Sequence, residues 1–480
     1  MKPFERKAIA ALQGDRAGHG EGLSRNIGLF ALTCFGVGST VGAGIFVLTG
    51  TVAAQHSGPA VALSFLIASV VCLLAGLCYA ELAAMMPVTG SAYSYSHASM
   101  GEAAAWMVGW CLLLEYLFSG TLVAIGWSAY FQSALHDLGV GLPALFTQAP
   151  FALSPHRNLV ATGAIVDLPA VLLTLFCTTL LLRGTEFSAR VNNIIVVAKI
   201  GAMLLVVVTG FAFVDRANWT PFIPDNTGVF GRFGWSGVMQ GAGVLFFAYV
   251  GFDAVSTLAQ EVRNPQRTVP RALLASVGVT TLLYMLVGLV ITGLVSYRLL
   301  DVADPVYVAL NSVGAGLVWT KVIVGFVAIA GLISVLLVTL LGQVRIFYAM
   351  GRDGLLPAAF TRVRAASHTP QIGTLVTGAI AALAAGLLPL SLLGELISIG
   401  TLFVFVTVAV SVIILRRREP QAARPFRVPL YPWTPVLSIA ACLYLMWTLP
   451  GDTWVRLLFW LVIGGAVYIL YGLRRRRRMG

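Results

Sequence analysis

The stretch Cys34-Phe-Gly-Val-Gly-Ser-Thr-Val-Gly-Ala-Gly-Ile-Phe46 sets four glycines, Gly36, Gly38, Gly42 and Gly44, inside a run that is otherwise apolar enough for a membrane helix. Each glycine costs a helix about 1 kcal/mol relative to alanine, so this run is predicted to break. A second apolar run, 235–259, carries Gly241, Gly243 and Gly251, the last followed by Phe252 and a charged Asp253. The competing reading of the first run is close helix packing through small residues, since Gly38 and Gly42 lie four apart. The second interrupted run weighs against it.

The rest of the chain supplies the solvent for these breaks. Of 480 residues, 58% are hydrophobic and 10% charged, whereas water-soluble domains carry about a quarter charged residues. That excludes a soluble enzyme, a nucleic-acid-binding domain and a disordered scaffold. Crossing a ~30 Å hydrocarbon core takes about 20 apolar helical residues. Runs of this kind lie near 29–50, 60–86, 103–132, 168–182, 191–214, 235–259, 272–296, 316–350, 372–389, 392–415, 432–449 and 454–472. The fold class expected is therefore an all-α polytopic membrane protein with twelve transmembrane helices. With the N-terminus assigned to the cytoplasm, the cytoplasmic loops and tails hold 24 basic residues and the opposite side five. Both termini are accordingly expected in the cytoplasm of a cell with this protein in its inner membrane. The segment 1–28 has no apolar core and no cleavage site, and reads as a cytoplasmic tail rather than a signal peptide.

Spans one and six, the interrupted ones, are five apart. Matching interruptions in two halves point to an inverted-repeat carrier with discontinuous helices at its binding site. The halves would be 29–215 and 235–415, followed by two peripheral helices in 432–472 and a basic tail, 473–480. The run Arg474 to Arg478 reads as an anchor to anionic membrane lipid, with no nucleic-acid partner.

Ionisable groups deep in lipid are costly and need a function or a partner. Glu115, Lys199 and Asp253 are the deep ones, with Glu81, Glu261 and Glu395 nearer the span ends. Lys321 begins a run so long that it must project beyond the bilayer, and a solvated lysine is expected there. All six histidines fall in tails, loops or span ends, which excludes a histidine proton relay at the membrane centre. The six cysteines show no metal-ligand or disulfide spacing and read as buried small apolar residues. No cofactor or metal is implied.

A broken first span offers a site for a zwitterion. Unpaired N–H groups of Val41, Gly42, Ala43 and Gly44 can take a carboxylate at a half-helix N-terminus. Carbonyls about Thr40 and from Phe247 through Ala248 to Val250 can accept from an ammonium. Lys199, about halfway along span five, would hold a cation's place if it points at the carbonyls of span one, and gain or loss of one proton would then couple to helix movement. The alternative is a structural lysine paired with Glu115 or a carbonyl. Glu115 and Asp253 are candidates for specificity, relay or internal pairing.

Five passages together resemble the amino acid–polyamine–organocation superfamily, in particular bacterial members of the cationic amino acid transporter family. They are Gly36-Val-Gly-Ser-Thr-Val-Gly-Ala-Gly-Ile-Phe46, Pro87-Val-Thr-Gly90-Ser91-Ala-Tyr93-Ser-Tyr95, Gly109-Trp-Cys-Leu-Leu-Leu-Glu115-Tyr116, Phe247-Ala-Tyr-Val-Gly251-Phe252-Asp253-Ala-Val-Ser256-Thr257 with Glu261 and Asn264-Pro265, and Arg352-Asp353-Gly354-Leu-Leu-Pro357. The resemblance implies a leucine-transporter-like fold of two inverted five-helix repeats plus two peripheral helices. It further implies secondary transport of L-amino acids, with Lys199 replacing sodium in proton-dependent relatives. Ala43 departs from the threonine that similar proteins often carry, which leaves backbone donors alone for the carboxylate. Neutral and cationic substrates both stay open, as do sodium coupling, exchange, and amino acid binding without transport.

Overall fold

The computed structural model describes residues 27–86, 90–153, 158–184, 189–252, 255, 262, 264–364 and 369–479. Asp253, Glu261, Pro87 to Thr89, Ser256 and Thr257, the tail 1–26 and the side chains of Arg474 to Arg478 lie outside the described residues.

The glycine-rich first run is interrupted where its composition predicts. Helix α1 (Leu29–Thr40) ends at Val41, whose backbone is extended, and the chain resumes as α2 (44–57), which contains two π-helical turns. Gly58, at φ +59°, lets the chain leave α2 and turn into α3 (Val61–Met85). The short α4 (Ser91–Ser99) precedes α5 (Glu102–Asp137), which α6 (Leu168–Leu182) and α7 (Ala189–Gly210) follow. Helix α8 (Gly234–Leu245) tightens into a 3-10 turn, Phe246–Tyr249, and stops at an extended Val250. After it come α9 (Pro265–Leu294), α10 (Pro305–Ser312), α11 (Val318–Arg352), α12 (Gln371–Leu387), α13 (Leu390–Arg418), α14 (Trp433–Thr448) and α15 (Gly451–Met479).

Among the described residues, seven helical stretches are long and apolar enough to cross a membrane, and α1, α6, α12 and α14 are shorter apolar helices. Large apolar side chains such as Phe176, Val208, Phe326, Trp447 and Phe459 are exposed on the bundle's flanks. An apolar surface of that extent has lipid, not water, as its neighbour. The core is formed where α5 packs on α11 and α13, α9 packs on α1 and α3, and α7 lies between α1 and α11. Helix α15 docks on α5 through an indole ladder. Trp106 donates to the Gly464 carbonyl at 2.8 Å, Trp110 and Trp460 each donate to the other's carbonyl, and the Trp110 and Trp460 rings stack at 4.9 Å.

Buried charges near the helix ends are paired, as their desolvation demands. Glu81 at the end of α3 accepts two hydrogen bonds from Arg416 and one from the Val428 N–H. Glu395 accepts from Thr453 and thereby ties α13 to α15. Asp353, just after α11, accepts from Tyr93 at 2.7 Å, which joins two of the sequence passages quoted above.

Three expectations are corrected. Lys321 is buried rather than solvated: it pairs with Asp137 at 2.5 Å, donates to Asn311 and lies over the Tyr307 ring. Helix α11 does run long, but the C-terminal end of α5 and the short α10 cover its first turns, so the ammonium finds protein partners. His97 is not in a loop; it is 2% exposed inside α4, a helix too short and polar for the hydropathy count to register. The chain is also not wholly α, because Phe151–Leu153 (β1) and Leu159–Ala161 (β2) pair as an antiparallel hairpin in the loop between α5 and α6. That end of the bundle is called the hairpin face below, and the opposite end the tail face. The cysteines form no disulfide; five are buried and Cys34 is half-buried.

Candidate functional site

The two interrupted segments meet. Gly44, which opens α2, lies against the 3-10 turn so closely that a β-carbon there would stand 2.3 Å from the Ala248 Cα. Gly251 adopts φ +110° and abuts Ser39, where a β-carbon would stand 2.7 Å from the carbonyl oxygen. Both conditions require glycine. Gly44 thus allows the close approach of the two segments, and Gly251 allows the turn that follows Val250.

Beside this crossing is a cavity of about 50 Å³. Thr40, Gly42, Ala43, Gly44, Phe247 and Val250 line it, together with Gly38, Ser39 and Gly251. Helix α5 contributes Tyr116, Ser119 and Val123, and α11 contributes Ser334, Val335, Val338 and Thr339. Of the residues that the sequence nominated, Val41 and Ala248 are not on the lining; both are buried behind it. Glu115 is buried too, one helical turn from Ser119 toward the tail face, and is not on the lining. Among the described residues that line the cavity none is charged.

The local chemistry suits an anion at one end. The N–H groups of Gly42, Ala43 and Gly44 lie at or just before the start of α2 and so have no acceptor within it. The Val41 N–H, nominated with them, is instead spent on the Val37 carbonyl at 2.8 Å. On the carbonyl side the sequence expected open acceptors, and the structure fills several of them. The Tyr284 hydroxyl of α9 lies 2.9 Å from the Thr40 carbonyl and 3.1 Å from that of Ala248, so it bridges the two breaks. Ser398 of α13 donates to the Val244 carbonyl and accepts from the Phe247 N–H.

Lys199 reaches the first break from α7. It is 1% exposed, and its Nζ donates to the Gly38 and Val41 carbonyls, each at 2.8 Å, rather than to Glu115. Two glycines make this possible. A β-carbon at Gly38 would meet Val196 of α7 at 2.1 Å, so the bare backbone lets α7 come close. A β-carbon at Gly331 of α11 would meet Cδ of Lys199 at 2.7 Å, so the aliphatic stem lies across that glycine.

Toward the hairpin face the cavity is closed by tight packing. Val47 lies on Gly126 of α5, where a β-carbon would be 2.3 Å from its Cγ2, and Leu48 lies on Gly394 of α13. Tyr130 of α5 donates to the Phe46 carbonyl at 2.8 Å. Toward the tail face the Tyr116 ring lies on Gly342.

A family profile described as Amino acid permease matches residues 27–468, nearly the whole chain with both interrupted helices. This chain belongs to the amino acid permease family. The permease is 42% identical to the methylthioribose transporter of Bacillus subtilis, over 98% of this chain and 97% of that protein. It is 40% identical to the branched-chain amino acid permease BcaP of the same species, over 98% and 97%. It is 37% identical to the vacuolar cationic amino acid transporter 4 of Arabidopsis thaliana, over 83% of this chain and 64% of the relative. It is thus an integral membrane protein and a permease, not an enzyme.

The permease's α9 and α11 residues at this site escaped the sequence reading. Tyr284 had a usable signal, since a tyrosine in the middle of an apolar run must find an acceptor for its hydroxyl. Gly331, Val335 and Thr339 had none, because their role depends on which helix lies opposite. Tyr284→Phe is expected to deprive the two buried carbonyls of their shared donor at a cost of about 1–2 kcal/mol. The checking measurement is the melting temperature of the permease in detergent, which should fall, whereas an unchanged value would mean that the bridge contributes nothing.

Proposed function

We propose that this permease takes up L-amino acids with neutral side chains by proton-coupled alternating access. The observation that carries the coupling is the pair of hydrogen bonds from Lys199 to Gly38 and Val41. Charge-assisted hydrogen bonds are about twice as strong as neutral ones. Loss of the Lys199 proton therefore weakens the hold of α7 on the end of α1, and its return restores that hold. Helix α1 is the half-span free to tilt, because the break at Val41 separates it from α2.

The substrate carboxylate is assigned to the N–H groups of Gly42, Ala43 and Gly44. Its ammonium is assigned to the second lone pairs of the carbonyls around Thr40 and Phe247, since a carbonyl accepts two hydrogen bonds. Val123, Val335 and Val338 form an apolar wall for the side chain, and the absence of charge on the described lining supports neutral substrates. The name of the branched-chain relative agrees with this. Glu115 lies one turn below Ser119, and Gln343, fully buried with no partner for its carboxamide among the described residues, lies one turn below Thr339. Together they supply a polar route from the cavity to the tail face, along which Glu115 relays protons.

The twelve-span reading, with inverted halves 29–215 and 235–415 and peripheral helices in 432–472, is supported by the matching interruptions of α1–α2 and α8–Tyr249. The basic excess supports a cytoplasmic tail face and an external hairpin face. Labelled amino acids offered to proteoliposomes under imposed pH or sodium gradients test the whole reading. Uptake of leucine-like substrates driven by an inward proton gradient is the expected result. Accumulation driven only by sodium, or confined to arginine and lysine, would overturn it.

A further inference from the structure

A second cavity opens at the hairpin face, outside the layer of Val47, Leu48 and Tyr130 that closes the inner site. At about 430 Å³ it is within the 300–1,000 Å³ range of small-molecule pockets, whereas the inner cavity at about 50 Å³ is far below that range. Residues of α2, α5, the hairpin loop, the segment before α10, the end of α12 and the start of α13 build its walls. In the conformation seen here, a solute arriving from the hairpin side meets a roomy outer cavity and then a shut layer.

The lining has one sign of charge. Asp167 and Asp301 both face the cavity, and among the described residues no lysine, arginine or histidine does. Both carboxylates are held in place. Asp301 accepts from the Gln55 carboxamide at 3.0 and 3.1 Å, and Asp167 accepts from Ser128 at 2.6 Å and from the Ala170 N–H at 3.2 Å. None of these four contacts brings a positive charge. Burial pushes the Asp167 carboxyl up to about 6, with Ser128 and the Ala170 N–H opposing the shift, so it is still mostly ionised at pH 7. Asp301 is exposed. Ile125, Ala385 and Leu388 add an apolar wall.

We propose that the outer cavity is a second binding site, specific for solutes bearing a primary ammonium, that holds an amino acid between solvent and the closed layer. It is a weak site, since Asp301 is open to water while Asp167 is buried behind its own hydrogen bonds, and it excludes acidic solutes by charge. A negative cleft with low-dielectric walls raises the local concentration of cations, so the cavity also speeds capture at low substrate concentration. The proposal rests on the transport reading only for the side from which solute arrives.

The test uses the full chain in cells or proteoliposomes with a reporter, Ser391→Cys, on the half-buried start of α13 that lines the cavity. A membrane-impermeant cationic methanethiosulfonate is compared with its anionic sulfonate counterpart, each rate divided by its rate on free thiol. The unsubstituted protein, whose cysteines lie within apolar helices, is the control. The cationic reagent is expected to react roughly tenfold faster, and Asp301→Asn in the same background is expected to reduce that preference to a few-fold. Millimolar leucine and millimolar n-butylamine should each slow labelling, the amine because this site needs no carboxylate. Protection by leucine should persist when Gly44→Leu fills the inner site; the amine carries the same comparison should that variant fail to fold. Equal rates for the two reagents, or no protection by the amine, overturn the proposal. Protection in a protein that transports no amino acid would sink the transport reading and leave this site standing.

Discussion

Lys199→Ala is expected to fold and insert normally, bind amino acids, and lose at least tenfold in accumulation driven by a pH gradient. The ammonium makes two hydrogen bonds at 2.8 Å to carbonyls at the end of α1. Hydrogen bonds to a charged group contribute about 1.5–3 kcal/mol each. The substitution removes them and leaves two buried carbonyls without that donor, a cost of about 1–3 kcal/mol, partly offset because an ammonium need no longer be kept out of water. What disappears is the proton-dependent difference between two grips on α1. Uptake measured with and without an imposed proton gradient should give nearly the same rate in the variant. Lys199→Arg sharpens the result, because arginine stays charged at every working pH and its larger head must pass Gly331, which already touches the lysine stem. It too should lose the gradient response. Wild-type response to the proton gradient in Lys199→Ala would falsify the coupling role.

Gly44→Leu should abolish substrate binding, and Gly44→Ala should weaken it by roughly one to two orders of magnitude. A β-carbon at this position is aimed at backbone: 2.3 Å from the Ala248 Cα, with no rotamer to yield. The α2 start and the 246–249 turn must then part, which moves the N–H cradle away from the carbonyls opposite. Overpacking of this kind costs about 1–3 kcal/mol. Gly42→Ala is the milder comparison, since its β-carbon would meet Cγ1 of Val335 at 3.2 Å, a side chain that can shift by a few tenths of an ångström. Thermal stabilisation by added amino acid is the readout, taken beside the melting temperature without ligand. A Gly44→Leu protein stabilised as well as wild type would mean that the crossing at Ala248 is not part of the binding site.

Much of the architecture was legible in the sequence because lipid imposes a one-dimensional rule. Helix length and hydropathy mark α3, α5, α9, α11 and α13 directly, and glycine density marks both interruptions. The misses have a common cause. The hydropathy count overlooked α4 because nine mostly polar residues cannot span lipid, yet other helices bury it. Lys321 reads as solvated from the sequence because composition shows the length of α11 but not that Asp137, Asn311 and Tyr307 cover its first turns.

At the site, the sequence by itself determined that the backbone would open at Val41 and near Val250, that small residues would stand at the opening, and that one lysine would be buried in span five. These are local consequences of missing side chains and of the cost of charge in lipid. Only the tertiary structure decided that Lys199 takes the Gly38 and Val41 carbonyls rather than Glu115, that Tyr284 bridges the two breaks, and that Val335, Val338 and Thr339 face them from α11. Such contacts join residues far apart in the chain. They are set by how helices pack, and packing depends on shape complementarity among several helices at once, which no single stretch of sequence carries.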